Sequence, residues 1–252
     1  MNISHISPQI TGLINEVADF IRGEVPKIKQ QNIREKSLNN LLTYVDETSE
    51  KLLGDQLTKL IPGSTIWGEE GIAKREKSEY TWIIDPLDGT TNFLFGMPVY
   101  AISVALMVKD EVLAGWVINV PQNELFTALK GKGAFLNGQK IEVSKRKVLS
   151  ECLIGTGFPI KEFERVDDQM EVTNQLIRST RGVRRLGAAA VDLCYIACGR
   201  FDAFFECNLS PWDVAAGLLI IEEAGGKTAD FSGKPFPLSG REIIATNAYV
   251  YD

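Results

Sequence analysis

Residues 82–93 read WIIDPLDGTTNF. A hydrophobic run ends in Asp85, and Asp88 follows three positions later with Pro86 between them. Side chains along a regular strand alternate between faces. Pro86 breaks that alternation, so both carboxylates can turn toward one point beyond the strand. Two carboxylates held close repel, and a hard divalent cation offsets the repulsion. Magnesium fits such an oxygen pair, with the Leu87 carbonyl as a further ligand. Gly89, Thr90 and Thr91 then offer backbone N–H groups at a predicted helix start, where anions bind. Cation plus amide donors describes a phosphate cradle. A turn with a helix cap explains the same residues without chemistry, and this stretch alone leaves both open.

Other acids stand in comparable settings. Glu69 lies in GEE (68–70), a turn after an apolar strand. Asp46 lies in VDE (45–47) at the start of a predicted helix, and Asp213 in PWD (211–213) at another. Each suits a helix cap as well as a ligand. Strand ends and helix starts are where α/β proteins gather ligands.

The rest of the sequence removes competing chemistries. The sole histidine is His5, which excludes most Ser-His, Cys-His and phosphohistidine mechanisms and the usual zinc ligand sets. Cys194 to Arg200 matches Cys-x5-Arg, but the stretch continues an apolar helix rather than a phosphate-cradling loop. GGKT at 225–228 follows a helix and has Ile221 where a P-loop needs glycine. DxxDGT is one residue longer than the DxDGT of haloacid-dehalogenase-like phosphatases. RGVRR (181–185) reads as a solvated strand face or as a contact to substrate or subunit. A net charge of -6 argues against a direct nucleic-acid partner and requires local cations or metals for any anionic ligand. No apolar run reaches membrane length, MNISHISPQITG lacks the features of a secretory signal, and Cys152, Cys194, Cys198 and Cys207 form no disulfide framework. A cytoplasmic location is expected.

The elements that must position these residues follow from hydropathy. Ile10, Leu13, Ile14, Val17, Phe20 and Ile21 predict a helix over 8–31 that Pro26 kinks or ends. Residues 34–43 read as a polar loop. Val45, Leu52, Leu53, Leu57 and Leu60 predict a second helix, closed by IPGS. The charged residues 72–79 are expected to be exposed. YTWIID, VYAISVALMV, VLAGWVINV and NELFTAL predict strands, with a meander among the last three. SKRKVLS (144–150) is the expected boundary between halves at 1–143 and 144–252. The second half alternates: a strand at ECLIGTGFP, a helix over 161–179, a short strand at GVRRL, a helix over 187–198, a strand at FDAFFEC, a helix at SPWDVAAGLLIIEEAGG and a last strand at EIIATN. That alternation implies layered α/β structure.

WIIDPLDGTTNF and WDVAAGLLIIEEAGG, with TYVDE, GEE, RRLGAAAV and FDAFFE in order between and around them, resemble the inositol monophosphatase family through nearly the whole chain. DGTTNF sits closer to its inositol branch than the DGTKEF of the adenosine bisphosphate branch. The resemblance implies an α/β (α+β) fold, the five-layered αβαβα sandwich of inositol monophosphatase and fructose-1,6-bisphosphatase-like proteins. It implies Mg²⁺ (two or three ions), lithium sensitivity and a homodimer acting on a small phosphate ester. Glu69, Asp85 and the Leu87 carbonyl match one metal site; Asp88 and Asp213, with Asp85 shared, match a second. Gly89 and Thr90 match phosphate-binding amides, and Asp46 with Thr90 the pair that orients water. Lys36 matches a lysine near the metal loop. Gly187, Ala188 and Ala189 match a helix start lining the substrate pocket, and Glu206 and Asp213 match groups that meet sugar or cyclitol hydroxyls. Inositol 1-phosphate is the expected substrate. Fructose 1,6-bisphosphate, another sugar phosphate, or a regulatory binding role remain as alternatives.

Overall fold

The computed structural model describes residues 3–28, 33–37, 40–71, 78–159, 163–234, 238 and 241–251. Helices α1 (Ile3–Glu24) and α2 (Tyr44–Leu60) form one outer layer. α1 buries Ile10, Ile14, Val17, Ala18 and Ile21, an amphipathic stripe at helical spacing. It starts ahead of the expected residue 8 and stops at Glu24, short of 31. Pro26 cannot donate into the helix, so Val25–Lys27 winds as a 3-10 turn instead. Residues 29–31 lie outside the described residues. α2 buries Val45, Leu53 and Leu57, whereas Leu52, expected on that face, is exposed.

The segment expected as a loop over 34–43 is an antiparallel ribbon, β1 (Ile33–Ser37) with β2 (Asn40–Thr43). It is separate from both larger sheets. Ribbon pairing uses only backbone N–H and C=O groups, so a polar run such as REKS can form one without a period-two signal.

Strand β3 (Thr65–Gly68) runs parallel to β4 (Tyr80–Asp88). The expected exposed stretch between them lies outside the described residues over 72–77. The predicted meander follows as β5 (Ala101–Val108), β6 (Glu111–Asn119) and β7 (Glu124–Leu129), and β8 (Ala134–Leu136) and β9 (Gln139–Ile141) complete a seven-stranded sheet in sequence order. Alternation sorts its two faces. Trp82, Ile84, Val104 and Trp116 pack toward α1 and α2. Ile83, Ala105, Val117 and Phe126 join a second core with α5 (Ala189–Ala197) and α6 (Pro211–Glu223), which form the middle layer.

The other sheet contains β10 (Leu153–Thr156), β11 (Gly182–Arg184), β12 (Ala203–Cys207), β13 (Lys227–Ala229) and β14 (Glu242–Thr246), in the order β11-β10-β12-β14-β13. β13 was not expected; three residues are too few to show a period. Helix α4 (Val166–Ser179) is the last layer, beginning after a 3-10 turn at Phe163–Arg165 rather than at 161. The stack is a five-layered αβαβα sandwich. The polar stretch at 144–150 earns its charge by closing this stack: buried Asp202 accepts from Arg146 Nε (2.8 Å), Leu153 N (2.8 Å) and Asn247 Nδ2 (3.2 Å).

The middle layer approaches the large sheet through small residues. A Cβ on Gly115 of β6 would meet Ala216 Cα and O of α6 at 3.0 Å. Gly115→Val should therefore force α6 off the sheet and cost about 1–3 kcal/mol by overpacking. Chemical denaturation checks this; an unchanged midpoint would show that α6 does not rest on that contact.

Candidate active site

The end of β4 does what the sequence asks of it. Asp85 pairs opposite Ser103 and Asp88 opposite Ala101, so three steps on β4 match two on β5. The extra residue is a bulge at Pro86, and it brings both carboxylates into the wall of one cavity of about 630 Å³. Asp85 Oδ1 accepts from Leu87 N (3.0 Å), and Asp88 Oδ2 accepts from Ala190 N (2.7 Å) across the layer boundary. Gly89 caps α3 (Thr90–Leu94) at φ 87°. A side chain there would also meet the carbonyls of Gly187 and Val99 at 3.1 Å, so glycine is required twice over.

The helices that deliver Asp46 and Asp213 hold them by capping boxes. At the start of α2, Asp46 Oδ2 accepts from Thr43 N (2.9 Å) and Thr43 Oγ1 (2.6 Å). At the start of α6, Asp213 Oδ2 accepts from Ser210 N (2.6 Å), with Pro211 fixing the first turn. The cap and pocket readings of these acids are thus compatible, because one oxygen serves the cap. Asp46 does not line the cavity itself. Its Oδ1 accepts from Thr90 Oγ1 (3.0 Å), which does line it. That hydroxyl can instead donate to Leu87 O (3.1 Å), but its single proton serves one acceptor at a time.

Glu69, Leu87, Gly187, Ala188, Ala189, Glu206 and Asp213 complete the sequence-derived set around the same cavity. Glu69 is placed by the turn after β3, where its N–H donates to Ile84 O (3.2 Å) and the buried Glu50 accepts from Glu70 N (2.8 Å). Asn92 Nδ2 donates to Val99 O (2.7 Å) and Leu186 O (2.8 Å), tying the α3 loop to the Gly187 segment. Lys36 belongs to β1, and its side chain lies outside the described residues.

The cavity is also lined by Asp192, which the sequence reading does not single out, and by Arg185, which enters it only within RGVRR, with a contact to substrate or subunit as one of two readings. Arg185, from the RGVRR patch, faces the cavity, and its guanidinium lies where a Cβ on Gly187 would be. Asp192 of α5 is 1% exposed, and its Oδ1 has no hydrogen-bond partner among the described residues. One acid in the apolar run AAAVDLCYIA was its signal, since a charge on a helix that is apolar all round must be buried.

The cavity is dense in negative charge. Burial, then the charges of Glu69, Asp88 and Asp213, raise the Asp85 carboxyl well above the usual range. Asp88 is pushed to about 7, chiefly by burial, against the pull of the Ala190 N–H. Burial and the Asp213 charge raise Glu206; burial and Glu206 raise Asp192. Burial also raises Asp46, against its bonds from Thr43 and Thr90. These are hard oxygen donors in mutual repulsion, the chemistry a magnesium or calcium ion satisfies and a softer metal does not. Among the described residues, no three His, Cys, Asp or Glu side chains stand at metal-holding geometry.

The sequence model of the "Inositol monophosphatase family" matches residues 3–252. The chain is 46% identical over 216 residues to a putative Nus factor SuhB of Neisseria meningitidis, covering 85% of this chain and 83% of that protein. It is 40% identical over 229 residues to an inositol-1-monophosphatase of Rhizobium meliloti, covering 90% and 85%. The crystal structure of the extragenic suppressor protein suhB from Bartonella henselae superposes with a TM-score of 0.89 at 35% identity, covering 99% of this chain and 95% of that one. No helix among the described residues is long and apolar enough to cross a membrane.

The raised carboxyls set a pH dependence. Unfolded carboxyls titrate near pH 4, whereas Asp88 in the fold titrates at about 7 and Asp85 is raised too. The metal-free fold therefore holds more protons than the unfolded chain between those values, and its stability falls as pH rises through them. In a chelator, the melting temperature should drop from about pH 5.5 to about pH 8, and magnesium should restore more at the higher pH. A melting temperature that rises with pH under chelation would contradict the crowding of charge.

Proposed function

The chain belongs to the inositol monophosphatase family, and from that premise we propose that it is a magnesium-dependent hydrolase of a small phosphate monoester, inositol 1-phosphate. The observation that carries the reading is the gathering of Glu69, Asp85, Asp88 and Asp213 beside Gly89 and Thr90 in one cavity. In this reading Glu69, Asp85 and the Leu87 carbonyl hold one ion. Asp88 and Asp213, with Asp85 shared, hold a second, with two or three ions in all. When bound, such ions supply the positive charge an acidic pocket lacks toward phosphate and the Lewis acidity that activates water near neutral pH.

The chain's own groups do the rest. The Gly89 and Thr90 N–H groups, first-turn amides without helix carbonyl partners, hold phosphate oxygens. Thr90 Oγ1 takes a proton from the attacking water as it passes its own to Asp46 Oδ1, 3.0 Å away. Burial raises the basicity of Asp46, and Thr43 fixes the carboxylate from its other oxygen. Glu206 and Asp213 accept from ring hydroxyls, beside the wall of Gly187, Ala188 and Ala189. No phosphoenzyme forms in this reading: Cys194 is fully buried, and burial raises its thiol far above the ordinary range.

The same reading takes a homodimer, a cytoplasmic location, lithium inhibition, and a division of labour between residues 1–143, with most metal ligands, and 144–252, with the substrate wall. Fructose 1,6-bisphosphate and other sugar phosphates present comparable hydroxyls and are the alternative substrates. A second reading rests on the relative named a Nus factor: a binding role in which hydrolysis is secondary. Phosphate release with magnesium from inositol 1-phosphate, fructose 1,6-bisphosphate and an aryl phosphate separates the two. Turnover supports the hydrolase; release from none of them leaves the binding role.

Asp88→Asn should keep the fold and lower turnover by on the order of a hundredfold or more. Near-normal turnover would remove Asp88 from the metal set. Glu206→Gln should weaken inositol 1-phosphate more than the aryl ester; an equal loss on both would mean that Glu206 reads no hydroxyl.

A further inference from the structure

Helix α4 is built the wrong way round for a helix that docks by apolar burial. Its buried residues are Gln169 and Thr173, while Met170, Val172 and Ile177 are exposed. A buried amide is costly unless its donor and acceptor are both used. Gln169, 6% exposed, uses both. Its Nε2 donates to the Gly157 carbonyl, just past the end of β10, and lies 3.4 Å from Thr156 Oγ1. Its Oε1 accepts from Cys207 Sγ (3.4 Å), the last residue of β12. The two strands pair in parallel, Thr156 beside Phe205, so one amide spans the open end of that pair.

Glu206 sits between these attachments. Its carboxylate oxygens lie 2.0 and 2.1 Å from where a Cβ on Gly157 would be, so it rests flat on the Gly157 backbone. The Gly157 carbonyl accepts from the Gln169 amide, and Thr156 Oγ1 lies 3.3 Å from it. Gly157, Glu206 and Cys207 all line the cavity; Gln169 does not.

We infer that Gln169 is a positioning residue for substrate selectivity: by clamping Gly157 and Cys207 it fixes the ledge on which the Glu206 carboxylate lies, and so the place where a polyol hydroxyl is read. The inference rests on the hydroxyl-reading role proposed for Glu206. It extends that role to a helix of the outermost layer, which touches no substrate.

The test compares wild type, Gln169→Met, Glu206→Gln and the double variant on inositol 1-phosphate and an aryl phosphate, with magnesium. Gln169→Met keeps the length of the side chain and removes both hydrogen bonds. The expected result is a KM for inositol 1-phosphate raised by about tenfold with kcat within about twofold, and aryl ester kcat/KM within about twofold. The double variant should be no worse than Glu206→Gln alone, since both act through one carboxylate. An equal loss on both esters, no change on either, or additive losses would overturn the inference. If Gln169→Met does not fold, Gln169→Glu retains the size and removes the donor, and the same shift is expected. A crystal structure of the variant reads the clamp without catalysis. Glu206 displaced from Gly157 supports it; Glu206 still seated on Gly157 overturns it, even if wild type hydrolyses neither ester.

Discussion

The constraint from which the rest of the site follows is the repulsion among buried carboxylates. Six acids line one cavity: Glu69, Asp85, Asp88, Asp192, Glu206 and Asp213. Left to themselves, such groups would separate, protonate or unfold the surrounding chain. The fold holds several of them by the same device, a backbone N–H bound to one carboxylate oxygen. Leu87 N holds Asp85, Ala190 N holds Asp88, and Ser210 N holds Asp213. Thr43 N holds Asp46 behind the wall. Backbone anchors cannot rotate away as side chains can, so the acids stay directed at the cavity despite the repulsion.

The layers exist to bring those anchors to one place. Asp85 and Asp88 end a strand of the large sheet, Asp46 opens an outer helix, and Asp213 and the Ala190 amide open the two helices of the middle layer. Middle-layer helices must approach the sheet closely for their first turns to reach the end of β4. Small residues make that approach possible: Gly115 against Ala216, and Gly89 against the Gly187 carbonyl and Ala188. The alanine run at 188–190 thus serves the geometry of Asp88 as much as the core.

Much of this was legible in the sequence because it is local. A hydrophobic strand, a proline, two acids and a glycine are consecutive, and the bulge they form needs no distant partner for its shape. The capping boxes at Thr43–Asp46 and Ser210–Asp213 are likewise written within four residues. The β1–β2 ribbon was not legible, since backbone pairing alone leaves no period in the hydropathy of a polar run such as REKS. α1 ends at Glu24 because of Pro26, one of the two outcomes, a kink or an end, that the proline left open. Arg185 was legible only in part: RGVRR reads equally as a solvated strand face or as a contact to substrate or subunit, and nothing near it in sequence says which. Asp192 carries a signal of burial in its apolar helix, but not of the cavity, which is assembled out of five other segments.

The two walls of the cavity differ in how they are held, and that difference bears on what can change. On the β4 side the acids are fixed by backbone amides, so replacing a neighbouring side chain leaves their position intact. On the β10–β12 side Glu206 rests on a glycine that is braced by the side chain of Gln169, from another layer. A wall held by side chains moves when those side chains change, and a wall held by backbone does not. For the proposed hydrolase, the chemistry of hydrolysis, which every phosphate ester shares, belongs on the rigid wall. Recognition of the alcohol, which differs from ester to ester, belongs on the wall that one substitution in an outer helix can reshape.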